Sequence, residues 1–296
     1  MTILNIMVLR HSAFYSPLLA TIGAGFLKDE GLAHTYAIAT PDNTVPDAIA
    51  HGRVHVAQSA VSTSFAGLER GESSPLVHFA QINERDGFFI AGRRAEPDFS
   101  WKSLVGKEVL VDHFFQPLAM FKYALHRKGI DFDTIKVIDA GDVDAIDRAF
   151  RAGRGDYVHQ QGPAPQQMEH EGIAHVVASV GAAVGPVAFS SLCASPQWLQ
   201  TDMALAFMRA YRKGRQFVVD SPARDVAQVV AEFFPATDRD VLIRTIETYQ
   251  QLGCWVPDPA ITMQAYEAVL DVFLHSGLIT TRHPYEAAIA LPPDQR

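Results

Sequence analysis

The sequence predicts an α/β fold of two similar lobes, each with a parallel-rich sheet flanked by helices. Three observations support this prediction. An apolar strand, a short loop and a helix that opens with proline occur twice, about one hundred residues apart. Further along, residues 51–59 align with residues 152–160 without a gap. In both segments the end of a helix, a glycine and a strand are predicted in the same order. Strands that alternate with helices imply right-handed βαβ units, and therefore parallel sheets covered by helices on both faces.

The composition is that of a globular protein with one or two domains. The 296 residues are 48% hydrophobic, and 33 acidic against 25 basic residues give a net charge of −8. We expect no nucleic-acid partner, because such a surface needs clustered Lys and Arg and the chain has no basic run. No run reaches the roughly 18 apolar residues of a membrane span. Cys193 and Cys254 are too few for a disulfide framework or a four-ligand zinc site, and we expect no metal and no cofactor.

The N-terminal apolar segment, residues 3–9, predicts a first strand instead of a secretion signal. It lacks a basic region before the apolar run, and Arg10 and His11 interrupt that run before a signal core is complete. We therefore expect no signal peptide in this chain. The protein is then periplasmic if a leader has been removed, and cytoplasmic otherwise.

The first copy of the repeat predicts a strand, a helix and a second strand. Pro17 suits the first turn of the helix, because its missing N–H would be unpaired there anyway. Gly31 suits the left-handed position after the last turn. A strand is expected to follow at residues 36–40, so one continuous helix is predicted from Pro17 to the turn before Gly31.

The second copy predicts the same elements. A strand at residues 109–111 leads to Pro117, which opens a helix that ends at Gly129, and a strand at 135–140 follows. After this copy the chain predicts a strand at residues 187–193 and then helices that return to lobe one. These helices are expected at about 202–217, 223–233, 239–251 and 263–275.

The chain is expected to cross between the lobes twice, near residues 88–93 and 185–190. The predicted lobes are residues 1–90 plus 189–296 for lobe one and residues 91–188 for lobe two.

Several segments resemble the type 2 periplasmic binding proteins, in the branch that holds the sulfonate and taurine binders and the NMT1/THI5-like proteins. They are residues 15–20 leading to 25–32, then 87–93, 101–109 and 253–259 with 277–279. The resemblance covers nearly the whole length. It implies the periplasmic binding protein-like II fold and a solute-binding protein that closes its lobes on a small organic ligand. For such a protein, uptake through an ABC transporter permease is an expected role.

In parallel α/β sheets, ligands sit beyond the carboxyl ends of the strands. The two copies therefore predict that four loops line one cleft between the lobes. These nominated loops are residues 11–16, 58–62, 113–116 and 159–162. The candidate ligand-binding residues are His11, Phe14, Tyr15, Ser16, Gln58, Ser59, Arg85, His113, Phe114, Phe115, Gln116, His159 and Gln160.

These residue types suggest how a ligand is held. Aromatic rings alternate with polar groups, which suits a ring-bearing ligand that is gripped by stacking and fixed by a few hydrogen bonds. The helix starts at Pro17 and Pro117 present free N–H groups, which favour an anionic group. Three histidines in one cleft predict pH-dependent binding. Arg85, near the first crossing, is expected either to contact the ligand or to brace the hinge.

No catalytic motif is found, so an enzyme is the less favoured interpretation. An enzyme related to thiamine-pyrimidine synthesis on the same fold remains an alternative, since fold does not fix function. That enzyme family carries a cysteine-rich run and a cofactor-binding lysine, and the nominated loops contain neither. A cytosolic ligand sensor is a further alternative.

Overall fold

The computed structural model describes residues 2–295 and contains two five-stranded sheets with helices packed around them. Met1 and Arg296, the outer limits of the predicted lobe one, lie outside the described residues. The strands are β1 Thr2–Val8, β2 Leu32–Ile38, β3 Val56–Ser59, β4 Val77–Asn83, β5 Phe88–Gly92, β6 Glu108–Val111, β7 Lys136–Ile138, β8 Tyr157–Gln161, β9 His175–Ser179 and β10 Ser190–Ala194. The α-helices are α1 Ser16–Gly23, α2 Phe26–Asp29, α3 Val45–Ala50, α4 Phe65–Glu69, α5 Phe115–Arg127, α6 Val143–Arg151, α7 Ala164–His170, α8 Val180–Val184, α9 Asp202–Asp220, α10 Ala223–Val230, α11 Arg239–Gln251, α12 Met263–His275 and α13 Tyr285–Ala288.

The two sheets have the same arrangement of strands, which confirms the predicted α/β fold with two similar lobes. The sheet of lobe one has the order β2-β1-β3-β10-β4, and that of lobe two has the order β7-β6-β8-β5-β9. In lobe one, β1 is parallel to β2 and β3, while β10 is antiparallel to β3 and β4. In lobe two, β6 is parallel to β7 and β8, while β5 is antiparallel to β8 and β9. One strand in each sheet therefore opposes the other four.

The opposing strand of each sheet is supplied by the chain as it crosses between the lobes. β5 follows β4 of lobe one but pairs in the sheet of lobe two, and β10 follows α8 of lobe two but pairs in lobe one. The chain therefore crosses at residues 84–87 and 185–189. Residue 90, the limit proposed from the sequence for lobe one, falls inside β5.

The first predicted helix is broken in two. α1 ends at Gly23, and α2 begins at Phe26 after Gly25, which has a φ of 81°. A residue in this left-handed conformation cannot continue an α-helix, and glycine adopts it without steric cost. The prediction of a single helix up to Gly31 was therefore wrong.

The C-terminal helices return to lobe one, as predicted, and also reach lobe two. α9 packs on α1 and α2 of lobe one, whereas α11 contacts α7 and α12 contacts α5 of lobe two. The largest hydrophobic cluster accordingly contains side chains from both lobes, among them Phe14, Phe121 and Tyr249. Of the helices in residues 2–295, none has the length and apolar character that a membrane crossing requires.

Candidate functional site

The two lobes meet through the loops that follow corresponding strands. The Arg10 Nη1 of lobe one lies 2.7 Å from the Asp112 Oδ2 of lobe two. The Ser12 hydroxyl donates to the Gly162 carbonyl at 2.9 Å, and the Ser62 hydroxyl donates to the Gln116 side-chain carbonyl at 2.6 Å. The four nominated loops therefore face each other in a closed arrangement of the lobes.

A small cavity, the central chamber, lies between these contacts. Its volume is about 40 Å³, which is room for about one water molecule. It is lined by Leu9, Arg10, Tyr15, Gln58, Ala60, Phe88, Phe114, Gln116, Pro117, Gln161, Phe189 and Ser190. Aromatic walls and three side-chain amides make it a place for a planar or amide-like polar group.

Two larger cavities flank the central chamber. The polar cleft, of about 330 Å³, is lined by Arg10, His11, Ser12, Val143, Asp144, Asp147, Arg148, Gln160, Gln161, Gly162, Pro163 and Ala164. The apolar pocket, of about 240 Å³, is lined by Leu9, Ala60, Ser62, Thr63, Phe65, Ala66, Phe114, Phe115, Gln116, Phe273 and Leu278. Arg10 and Gln161 border both the chamber and the polar cleft, while Phe114 and Gln116 border both the chamber and the apolar pocket. The three cavities therefore lie next to each other along the interface between the lobes.

The amides of the chamber differ in how they are bonded. The Gln58 carbonyl oxygen accepts the Leu9 N–H at 3.0 Å, so this side chain holds the loop after β1. Gln116 donates to the Phe189 carbonyl at 2.9 Å. The buried Gln161 carbonyl oxygen makes no hydrogen bond within residues 2–295, so Gln161 is the amide with an acceptor to offer a ligand.

Arg10 and Tyr15 are the titratable groups of the chamber. Burial acts to lower the pKa of Arg10, but the charge and hydrogen bond of Asp112 together with the nearby Tyr15 raise that pKa above its ordinary value. Burial raises the pKa of Tyr15, so its hydroxyl stays protonated, and the side chains of Ser190 and Gln161 hydrogen-bond to it. A ligand in the chamber would therefore meet the charged Arg10, which is already paired with Asp112, and the neutral hydroxyl of Tyr15.

The three predicted histidines lie in different environments. His159 is buried between the rings of Phe88 and Phe121, at centroid distances of 4.5 and 5.1 Å, and lines none of the three cavities. Burial lowers the pKa of His159 to about 3, so its ring is neutral. His113 is half-buried, with its Nδ1 bonded to the Val111 carbonyl, and also lies outside the cavities. His11 is exposed and borders the polar cleft.

The remaining aromatic candidates divide between pocket and core. Phe114 and Phe115 are 52% and 67% exposed and line the apolar pocket. Phe14 is fully buried against Tyr249, with a centroid distance of 4.9 Å, and its carbonyl accepts the side-chain N–H of Trp255. Phe14 therefore packs in the core below the loop of residues 11–16.

The small polar candidates mostly serve the backbone. The Ser16 hydroxyl donates to the Ala13 carbonyl, and the Ser59 hydroxyl bonds that of Thr63. Gln160 borders the polar cleft and donates to the Val143 carbonyl. Arg85 is half-buried beside the crossing and lines none of the three cavities.

Two central residues, Arg10 and Asp112, were not among the candidates. They follow the equivalent strands β1 and β6 by two residues and one residue, just outside the nominated loops. Their opposite charges at matching strand ends are the signal that could have identified them. Gln161 lay inside a nominated loop without being singled out.

The first crossing contains a buried carboxyl group. Burial raises the pKa of Asp86 to about 8, and its Oδ1 accepts the Phe88 N–H at 2.6 Å. A Cβ atom at Gly181 would lie 2.1 Å from the Asp86 carbonyl oxygen, so α8 packs directly on this crossing. Among residues 2–295, no group of three or more His, Cys, Asp or Glu side chains is arranged to hold a metal ion.

Comparison with known proteins supplies a family and a fold. Residues 14–225 match the family model described as NMT1/THI5 like. The chain is 30% identical over 287 residues to "Putative binding protein YtlA" of Bacillus subtilis, covering 94% of this chain and 85% of that protein. The structure is similar to the periplasmic aliphatic sulphonate binding protein SsuA of Escherichia coli, with a TM-score of 0.76, 14% identity and coverage of 99% and 93%. It is also similar to a ligand binding component of an ABC-type import system from Staphylococcus aureus, with a TM-score of 0.76, 15% identity and coverage of 100% and 99%.

Proposed function

This chain belongs to the NMT1/THI5-like family, and we propose that it is a solute-binding protein whose lobes close on a small organic ligand. The observation that carries the proposal is the central chamber. Both lobes contribute polar and aromatic side chains to it, and hydrogen bonds between the lobes lie on either side of it. The 30% identity to a protein named as a binding protein supports the same function.

Closure supplies the binding mechanism. At about 40 Å³ the chamber is too small for an organic molecule, so entry requires the lobes to part. Parting breaks the Arg10–Asp112 ion pair and the two hydrogen bonds of Ser12 and Ser62, while the crossings at 84–87 and 185–189 stay connected. Hinge motion about a few such residues is a common way to enclose a ligand.

The ligand is expected to combine an apolar ring with a polar end. The exposed rings of Phe114 and Phe115 suit the ring in the apolar pocket, while Gln161 and Tyr15 suit a hydrogen-bonding end in the chamber. The polar cleft beyond Arg10 leaves room for an extension of the polar end.

The closed, ligand-bound protein would deliver its ligand to an ABC transporter permease. One structural neighbour is named as the ligand binding component of an ABC-type import system, and another as a periplasmic binding protein. This partner implies that the protein acts outside the cytoplasmic membrane. Deletion of the gene should abolish uptake of the ligand by intact cells, and a genomic leader sequence upstream would support the location.

Mass spectrometry of small molecules released by denaturing the purified protein tests the binding function. We expect one organic compound at near-stoichiometric amounts, and its return should contract the apo protein in small-angle scattering. An unchanged radius of gyration with saturating compound would contradict closure. Chemical conversion of the compound by the protein would favour the enzyme alternative.

A further inference from the structure

We propose that Asp112 is a built-in substitute for an anionic ligand group, and that the cleft therefore selects uncharged ligands. This inference rests on the proposed function, because it names the charge class of the ligand that the lobes enclose.

The Asp112 carboxylate already bonds to two donors that an anion could otherwise use. Its Oδ2 accepts from the Arg10 guanidinium at 2.7 Å, and its Oδ1 accepts from the Phe114 N–H at 2.9 Å. Its side chain is 7% exposed. A guanidinium from one lobe and a backbone N–H ahead of helix α5 in the other are ordinary partners for a sulfonate, phosphate or carboxylate. Here the Arg10 Nη1 and the Phe114 N–H are both bonded to Asp112 instead.

The other side chains that line the three cavities carry no excess of positive charge over carboxylate charge. Arg148 is the other arginine that lines the three cavities, and it is accompanied there by Asp144 and Asp147. With Arg10 paired to Asp112, an anion would meet at least as many carboxylates as cations. Its own negative charge would go uncompensated.

An anionic ligand therefore faces two unfavourable outcomes. If it shared Arg10 with Asp112, two like charges would lie side by side in a buried site. If it displaced Asp112, a buried carboxylate would be left without its partner, which is strongly destabilising. An uncharged ligand avoids both, because it can bond to the free Gln161 carbonyl and to neutral hydroxyl groups while the ion pair stays intact.

Chemical rescue tests the role of Asp112 without the natural ligand. In Asp112→Ala, sodium acetate should refill the vacated site and raise Tm by about 2 to 4 °C as it saturates. Acetamide, which has the same shape without the charge, should not, and sodium chloride at equal ionic strength provides the baseline. The wild-type protein should show no acetate-specific rise. The double variant Arg10→Met with Asp112→Ala should also show none, because the cation is gone.

Asp139→Ala is the matched control, because Asp139 is exposed and lines none of the three cavities. Asp112→Gly, which also leaves room for acetate, replaces the alanine variant if that variant fails to fold. An acetate-specific rise in the wild-type protein as large as in the variant would overturn the proposal. So would the absence of a rise in a folded Asp112→Ala or Asp112→Gly protein, or a released compound that is anionic at pH 7. Failure to find any bound compound would count against the binding function alone.

Discussion

The Tyr249 hydroxyl accepts the backbone N–H of Gly162 at 2.8 Å, and this bond joins the C-terminal helix α11 to the cleft loop of lobe two. The same hydroxyl donates to the Gly87 carbonyl at 2.9 Å, at the first crossing between the lobes. Tyr249 is fully buried, so water cannot replace these bonds. One side chain thus links the hinge to the cleft.

Replacing Tyr249 with Phe should destabilise the protein. The Gly162 N–H and the Gly87 carbonyl would lose a partner in a buried place, at a cost of about 1 to 3 kcal/mol in the free energy of unfolding. Urea denaturation measures this cost. Tyr123→Phe is the control, because the Tyr123 ring also packs against other rings but is half-buried, so water can reach this residue. Equal stability of the two variants would show that the hydroxyl of Tyr249 does not support the hinge.

Asp86 predicts that stability falls as the solution becomes alkaline. Its pKa is raised by burial to about 8 in the folded protein, above the ordinary value of 3.8. The folded state therefore holds this proton more tightly than the unfolded state, so the stabilising effect is complete below about pH 4 and is lost as pH rises to about 8. Because Asn keeps the side-chain carbonyl without the charge, Asp86→Asn should remove this dependence.

The measurement for Asp86 is the free energy of unfolding of both proteins from about pH 5 to about pH 8. Across that range the wild type should lose about 2 to 4 kcal/mol relative to Asp86→Asn, since each unit of pKa difference corresponds to about 1.4 kcal/mol. All other titrating groups are common to the two proteins. Parallel stability curves would mean that Asp86 is ionised in the fold.

The repeat allowed much of the fold to be predicted, because each matching strand and helix has a local hydrophobic pattern. The sequence predicted two crossings, near residues 88–93 and 185–190, but not that β5 pairs in the sheet of lobe two, since β5 is equally apolar whichever sheet it joins. The contact between Arg10 and Asp112 depends on how two distant lobes face each other, and a sequence pattern does not contain that orientation. The start of β2 at Leu32 was missed because this edge strand exposes polar residues such as His34.

His159 illustrates the same limit and leads to a spectroscopic prediction. Position at a strand end suggested a titrating cleft residue, but the ring is buried and its pKa is lowered to about 3. In NMR, its ring resonances should therefore not shift between about pH 5 and pH 8, and His159→Gln identifies them by their loss. Stability linked to His159 should fall as pH drops below its unfolded pKa of about 6.5, because only the unfolded state then gains a proton. A titration midpoint near pH 6 would contradict this placement.

Phe115 predicts a change in binding without a change in stability. Its side chain is 67% exposed at the mouth of the apolar pocket, where Phe114 and Leu278 are also exposed. In Phe115→Ser the core is untouched, so the free energy of unfolding should change by no more than about 0.5 kcal/mol. A ring or chain of the ligand that packs on Phe115 would lose roughly 1 to 2 kcal/mol of apolar burial, which corresponds to about five- to thirty-fold weaker binding.

Calorimetry with the compound released from the wild-type protein measures this loss of binding to Phe115→Ser. Met263→Ser is the control, because Met263 is 52% exposed but lines none of the three cavities. If Phe115→Ser bound the compound as tightly as Met263→Ser, the ligand would not extend from the chamber into the apolar pocket.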